Sequence, residues 1–231
     1  MTEGEQLEAD GKRITLYRGE GENLPVIYSN DYMESGKEVR KCCEALSCPP
    51  FHLVTVSGLN WDSDLSPWPS EPVVSDEDHF EGRAAEHLKW ILDQAVPAAE
   101  KEFSLKHPRS YIAGYSMAGL FSLWTLYQTD FFSGAVSASG SVWYPGFSDY
   151  ASAHELKKMP AGIYLSLGNK ESRAANPFLR KTETIYRNLE KEYAGRGIPS
   201  VFEMNPGNHY RDVCVRMAKG ITWLMERDGI S

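Results

Sequence analysis

The chain has 231 residues, enough for one domain whose core needs neither disulfides nor metals. Its 32 acidic and 24 basic residues give a formal charge of -8, which argues against nucleic acid or an anionic membrane surface as a main partner. The polar, acidic residues 1–10 do not resemble a signal peptide, and no later window has the apolar length of a membrane span. We therefore expect a single cytoplasmic domain, in which residues 1–12 form a flexible polar amino terminus.

Apolar strand-like segments alternate with amphipathic helices along the chain. The predicted strands are residues 13–17, 25–29, 52–56, 111–114, 135–139, 163–167 and 200–204. Apolar residues at helical spacing predict helices near 88–103, 120–127, 179–193 and 214–225. Pro97 is expected to kink or break the first of these. The alternation predicts an α/β fold with a mostly parallel central sheet and helices on both faces.

Residues 60–83 form a long polar segment, rich in Pro, Asp and Trp, inside the domain. The segment follows a predicted strand, so it should emerge at the carboxyl end of the sheet, where open α/β sheets bind ligands. We interpret Trp61, Asp62, Trp68 and Pro69 as part of an active-site rim, with the two tryptophans contacting substrate. The alternative is a surface loop anchored by its own tryptophans.

Residues 114–119 read Gly-Tyr-Ser-Met-Ala-Gly and join a predicted strand to an apolar helix. A serine nucleophile elbow has this setting, because its sharp turn needs small residues where the backbone crosses itself. The common pattern is G-x-S-x-G, and here Ala118 stands at its last position. The motif predicts Ser116 as a nucleophile, although such a turn in an α/β protein can also be only a turn.

A serine hydroxyl needs a general base and a group that orients that base. In folds with this elbow, the acid follows a later strand and the histidine follows the last strand. His209 alone among the histidines fits, because it follows the predicted strand 200–204. The other histidines are expected to be structural or solvated: His52, His79, His87, His107 and His154.

The acid should lie in the loop after the predicted strand 163–167. Asn169 occupies a natural position there but cannot carry the charge that stabilises an imidazolium. Glu171 is therefore the predicted acid. The alternative is that Glu171 is an exposed carboxylate paired with Lys170 or Arg173, and that Ser116 and His209 act as a dyad.

A developing oxyanion needs two backbone amides aimed at one point. The fold supplies one from the residue after the nucleophile, which is Met117, and one from the loop after an earlier strand. For the second donor we favour the amide of Asn30, just after the predicted strand 25–29.

The four cysteines are expected to be buried or inert thiols: Cys42, Cys43, Cys48 and Cys214. They lack the paired spacing of a zinc site or of a CxxC redox motif. The sequence therefore predicts no metal site and no cofactor.

Four motifs together resemble the putative esterase family that includes enterochelin esterase and esterase D. They are Gly-Tyr-Ser-Met-Ala-Gly-Leu-Phe from residue 114, Ser-Gly-Ser-Val-Trp-Tyr-Pro from 139, Leu-Ser-Leu-Gly-Asn-Lys-Glu from 165 and Gly-Asn-His-Tyr from 207. The resemblance covers about residues 25–224. It implies an α/β-hydrolase fold and metal-independent ester hydrolysis, with Ser116 as nucleophile, Glu171 as acid and His209 as base. It also implies that Trp143 lines the acyl or alcohol pocket, against the alternative of a core tryptophan.

The chain departs from that family in two ways, of which the first should preserve the chemistry and the second leaves the substrate open. Ala118 replaces the usual glycine, and the chain has none of the extra amino-terminal domain of the larger siderophore esterases. The predicted function is hydrolysis of a small ester or thioester through an acyl-serine. Acyl transfer and a catalytically silent binding module are the alternatives. The sequence predicts no oligomeric state.

Overall fold

The computed structural model describes residues 4–105 and 109–228. Its strands are β1 (Glu5–Ala9), β2 (Lys12–Tyr17), β3 (Val26–Asn30), β4 (His52–Ser57), β5 (Pro69–Ser70), β6 (Phe80–Glu81), β7 (Ser110–Tyr115), β8 (Phe132–Ala138), β9 (Gly162–Gly168) and β10 (Ser200–Asn205). Eight strands form a central sheet in the order β1-β2-β4-β3-β7-β8-β9-β10, while β5 and β6 pair separately. The six strands from β4 to β10 in that order run parallel, and β1 and β2 are antiparallel additions.

Helices cover both faces of this sheet. They are α1 (Gly36–Ala45), α2 (Trp61–Leu65), α3 (Ala84–Trp90), α4 (Val96–Phe103), α5 (Met117–Thr125), α6 (Phe147–Ala153), α7 (Pro177–Arg180), α8 (Thr182–Gly195) and α9 (Val213–Asp228). The helices α1 and α9 pack on one face around Ile27, Leu53 and Tyr111. The helices α3, α4, α5 and α8 enclose a larger core on the other face. The predicted α/β architecture is therefore confirmed, and each predicted strand is present with ends that differ by a few residues.

The flexible amino terminus expected for residues 1–12 differs from the structure in its described part. Residues 5–9 form β1, which pairs antiparallel with β2 along its whole length. The turn between them is Asp10-Gly11, and both residues have positive φ, 51° and 77°. This is the two-residue hairpin turn that favours Asp-Gly, so backbone pairing orders a segment whose side chains are mostly exposed.

At Pro97, where a kink or break is expected, the helix is not broken but changes type just before the proline. A π-helical turn, Ile91–Ala95, joins α3 to α4, and Pro97 is the second residue of α4. The Val96 amide donates to the carbonyl of Ile91, five residues back. The wider turn shifts the hydrogen-bond pattern just before the proline, so the chain keeps its helical path through Phe103.

Residues 60–83 contain more regular structure than a loop. The short helix α2 and the β5–β6 pair fall within them, and the buried side chains of Leu65 and Phe80 anchor the segment on the core. No helix within residues 4–105 and 109–228 is long and apolar enough to cross a membrane.

The parallel strands bring three connections to the same edge of the sheet. The turn after β7 contains Ser116, the loop after β9 contains Glu171, and the loop after β10 contains His209. Because carboxyl ends of parallel strands share one edge, residues far apart in sequence meet there.

Candidate active site

Ser116 occupies a sharp turn between β7 and α5. Its backbone angles, φ 58° and ψ -126°, lie in a region that residues other than glycine rarely adopt. A Cβ on Gly114 would lie 2.1 Å from the carbonyl oxygen of Ala118, and one on Gly119 would lie 2.7 Å from Cα of Gly140. The glycines therefore allow the close backbone crossing, and the fully buried Ala118 fits at the last motif position. The turn has the geometry of a nucleophile elbow.

His209 and Glu171 form a hydrogen-bonded chain with this serine. Nε2 of His209 lies 3.2 Å from Oγ of Ser116, and Nδ1 lies 2.7 Å from Oε2 of Glu171. The structure thus brings together the three residues that the sequence predicted, from three separate loops at one edge of the sheet.

Glu171 is enclosed rather than exposed. Its side chain is 10% exposed, and Oε1 accepts hydrogen bonds from the Ser139 hydroxyl and the Gly168 amide, both at 2.7 Å. Burial alone would raise the pKa of Glu171, but hydrogen bonds from His209, Ser139 and Gly168 outweigh it and hold the pKa below its ordinary value. Glu171 is therefore an ionised acceptor at neutral pH, unlike the exposed carboxylate of the alternative interpretation.

Arg216 of α9 is a buried cation behind this carboxylate. Its side chain is 1% exposed, and Nη1 lies 3.0 Å from Oε1 of Glu171, 2.9 Å from Oγ of Ser139 and 3.0 Å from the Tyr115 hydroxyl. One guanidinium nitrogen therefore connects Glu171 to β7 and to the turn after β8.

The second terminal nitrogen of Arg216 holds the loop that carries the histidine. Nη2 donates to the main-chain carbonyls of Pro206, at 3.1 Å, and Asn208, at 2.9 Å. The hydroxyl of Tyr115 donates to the carbonyl of His209 at 2.6 Å. These bonds fix the main chain on either side of the imidazole.

The sequence motifs do not predict parts in the site for Arg216, Tyr115 and Ser139. Arg216 stands beside the apolar stripe of α9, where a lone charge is typical of a solvated face. Nothing local to the sequence indicates that it points at Glu171. Asn169 has a structural part of its own, because its Oδ1 accepts from the Gly207 amide at 3.0 Å.

The two predicted oxyanion donors have different surroundings. Met117 is the first residue of α5, so its amide belongs to the helix end that lacks intrahelical acceptors. Asn30 is the last residue of β3 rather than the first of a loop. Successive amides of a strand point to opposite neighbouring strands. The Asp31 amide donates to the carbonyl of Val56 in β4, so the Asn30 amide points the other way, into the sheet toward β7. Tyr32 is the second residue beyond the strand.

Four of the other histidines are structural or exposed, as expected, and His107 lies outside the described residues. His87 is buried, with Nε2 2.8 Å from Oδ1 of Asn30, and burial and Lys12 hold its pKa well below the ordinary value. Burial lowers the pKa of His52 to about 4. His79 and His154 are exposed.

Two cavities meet at Ser116. The Trp143 cavity has a volume of 390 Å³ and is lined by Trp61, Trp143, Ser141 and Thr182, among others. The α1–α9 cavity has a volume of 410 Å³ and lies between those two helices. Five residues line both: Trp61, Asp62, Ser116, His209 and Tyr210. The serine and histidine thus face both compartments.

The predicted substrate tryptophans separate into two groups. Trp61 and Trp143 line the cavities, so Trp143 is not simply a core residue. Trp68 is not among the residues lining either cavity. Its Nε1 donates to the carbonyl of Pro145 at 2.9 Å and its ring packs on Tyr144 and Tyr150, so it anchors residues 60–83 instead. Pro69 is an exposed residue of β5.

No group of three or more His, Cys, Asp or Glu side chains in residues 4–105 and 109–228 could hold a metal ion. The four cysteines are free thiols; Cys43 is buried and the others are half-buried.

The strand order, the elbow after β7 and the histidine after β10 define an α/β-hydrolase fold. Solved structures with this architecture superpose on the chain. An IroE-like serine hydrolase from Shewanella oneidensis matches with a TM-score of 0.80 at 16% identity, over 96% of this chain and 79% of that chain. Siderophore hydrolase EstB from Aspergillus nidulans matches with a TM-score of 0.74 at 21% identity, over 98% of this chain and 96% of that chain. At these identities the likeness shows the fold.

Residues 16–213 match the model of the putative esterase family, and the chain belongs to that family. A relative in Bacillus subtilis (strain 168), the uncharacterized protein YbbA, is 24% identical over 240 residues that cover 94% of each chain. The resemblance stated from the motifs is confirmed. Ester hydrolysis is the general activity that this membership supports.

Proposed function

We propose that the protein is a serine hydrolase that cleaves a small carboxylic ester or thioester through an acyl-serine intermediate on Ser116. The observation that carries the proposal is the continuous chain from Glu171 through His209 to Ser116, built at a strained elbow. Membership in the esterase family agrees with it.

The direction of the hydrogen bonds from Glu171 through His209 to Ser116 follows from the charge of Glu171. An ionised carboxylate only accepts hydrogen bonds, so Nδ1 of His209 carries the proton that bonds to Oε2. In a neutral imidazole Nε2 is then the acceptor, and it faces Oγ of Ser116. His209 removes the serine proton as Oγ attacks the carbonyl carbon, and Glu171 stabilises the imidazolium that forms.

The oxyanion that forms on the carbonyl oxygen is held by main-chain amides. The first is that of Met117, at the start of α5. For the second we favour Tyr32 over Asn30, because the Asn30 amide points into the sheet and Tyr32 lies beyond the strand. Both residues line the α1–α9 cavity with Ser116.

Collapse of the tetrahedral intermediate breaks the bond to the leaving oxygen or sulfur, which takes the proton from His209. The acyl group remains on Ser116. His209 then removes a proton from water, the hydroxide oxygen attacks the acyl carbon, and Oγ leaves with that proton as the free acid is released.

Acyl transfer is a second candidate, because two cavities meet at Ser116. One could hold the acyl group while the other admits an alcohol in place of water. A silent binding module is disfavoured by the complete hydrogen-bonded chain.

The acyl-serine is tested by acid-quenching the protein during turnover of a p-nitrophenyl ester and measuring its intact mass. We expect one acyl group on the wild type and none on Ser116→Ala. An acyl group on another residue, or turnover without any adduct and unaffected by Ser116→Ala, would overturn the proposal. Added methanol that yields methyl ester would reveal transfer.

A further inference from the structure

The α1–α9 cavity is bounded by apolar side chains from its two helices and from β4. Its apolar lining includes Val39 from α1, Leu53 from β4, and Val213, Met217 and Ile221 from α9. Its volume of 410 Å³ falls within the range of small-ligand pockets, about 300–1,000 Å³. The three residues from α9 recur at helical spacing, so they present one continuous apolar wall along the cavity.

The charged groups at this cavity disfavour an anionic occupant. Among the described residues that line it, Asp31 and Asp62 are acidic and none is Lys or Arg. Asp31 is already engaged, because its Oδ1 accepts from the Ser35 hydroxyl at 3.0 Å and from the Met33 amide at 3.2 Å. The carboxylates of Asp31 and Asp62 would therefore repel an anionic group here.

Large apolar side chains are exposed at the opening. Tyr32, Met33 and Tyr210 line the α1–α9 cavity and are 70%, 75% and 85% exposed. Tyr32 also packs against Trp61, with ring centroids 5.3 Å apart. Exposed apolar side chains clustered around one opening indicate contact with an apolar ligand.

We propose that the α1–α9 cavity binds an aliphatic chain of the ester substrate. Ser116 and His209 line the cavity, so a group bound there is attached directly to the reacting carbonyl or to the leaving atom. The rest of the substrate occupies the Trp143 cavity. This inference rests on the proposed serine-hydrolase function and adds the chemistry of the substrate.

Two ester series test the assignment and identify which side of the ester carries the chain. One varies the acyl group, with p-nitrophenyl acetate, butyrate, hexanoate and octanoate. The other varies the alcohol, with ethyl, butyl and hexyl acetate. Burial of each methylene should raise kcat/KM by up to roughly fourfold until the cavity is full. A rise in either series supports the proposal, whereas kcat/KM independent of length in both overturns it.

A matched pair of substitutions on α9 locates the effect. Val213 lines the cavity, whereas Val215 is 39% exposed on the same helix. In the series that responds to length, the ratio of kcat/KM for the longest ester to that for the shortest should fall by roughly tenfold in Val213→Phe, because the larger side chain fills the opening. Val215→Phe should leave that ratio unchanged. Met217→Ala, which lengthens the cavity, should move the optimum to longer chains.

Labelling of each variant by a small fluorophosphonate separates failure of this inference from failure of the proposed function. If Ser116 is labelled and acetate esters turn over, but Val213→Phe and Met217→Ala keep the wild-type length preference, the cavity assignment alone is wrong. If the folded wild type is neither labelled nor active on any ester, both proposals are overturned.

Discussion

Glu171 and Arg216 form a buried ion pair, in which Nη1 of the arginine lies 3.0 Å from Oε1 of the carboxylate. The other carboxylate oxygen accepts from His209 at 2.7 Å. Because Arg216 also bonds to two carbonyls of the loop that carries His209, it fixes the positions of both Glu171 and His209. We interpret Arg216 as a positioning residue.

Arg216→Lys tests this interpretation. Lysine retains the charge but lacks the planar fork that reaches Glu171 and the loop carbonyls together. We expect kcat to fall about tenfold to hundredfold with little change in KM, because a small displacement of the base impairs proton transfer more than substrate binding. Steady-state kinetics on one ester measures both constants. Arg227→Lys, near the end of the same helix, is the matched control, and an equal loss there would contradict the interpretation.

Glu171→Gln should lower kcat by about a thousandfold or more while the protein stays folded. The amide can donate to Nδ1 of His209, which stabilises the tautomer that has its proton on Nε2. That nitrogen can then no longer accept the proton of Ser116. Turnover within a few-fold of the wild type would mean that Ser116 and His209 act as a dyad or that another carboxylate is the acid.

Glu171 should also make the stability of the protein depend on pH in the acid range. Its pKa in the folded state lies below the ordinary value of 4.5. Ionised Glu171 therefore stabilises the folded protein fully above the unfolded-state pKa, and this stabilisation is lost as pH falls through the folded-state pKa. Melting temperatures of the wild type and Glu171→Gln should converge as pH falls below 4.5. A difference that stays constant throughout this range would contradict the assigned pKa direction.

The conformation of the elbow predicts a difference between two inactive variants. Ser116 has φ 58° and ψ -126°, which glycine adopts more easily than alanine. Relief of backbone strain should therefore make Ser116→Gly more stable than Ser116→Ala by about 1–3 kcal/mol. The larger conformational entropy that glycine loses on folding reduces this difference. Urea unfolding of both variants measures the difference, and an equally stable alanine variant would show that the elbow is not strained.

The parts of the site that could be predicted from sequence follow from order along the chain. An elbow after one strand, an acid after a later strand and a histidine after the last strand identify Ser116, Glu171 and His209. Arg216 could not be found in this way, because its partners come from distant segments and only the packing of α9 on the sheet brings them together. The roles of Trp61 and Trp68 likewise depend on the fold of residues 60–83.

Two differences in the fold have local causes. The hairpin of β1 and β2 could have been predicted from Asp10-Gly11, a strong turn signal that the polar composition of the segment obscured. For Asn30 the difference is one of strand boundaries, because β3 ends one residue later than predicted and successive amides of a strand point to opposite sides.

The most direct test of the central claim is the intact mass of the protein after treatment with a small fluorophosphonate. Only a serine activated by its base reacts readily with this reagent. We expect one adduct on the wild type and none on Ser116→Ala or His209→Ala under the same conditions, with all three proteins folded. An unlabelled wild type, or an adduct that persists in Ser116→Ala, would contradict that claim.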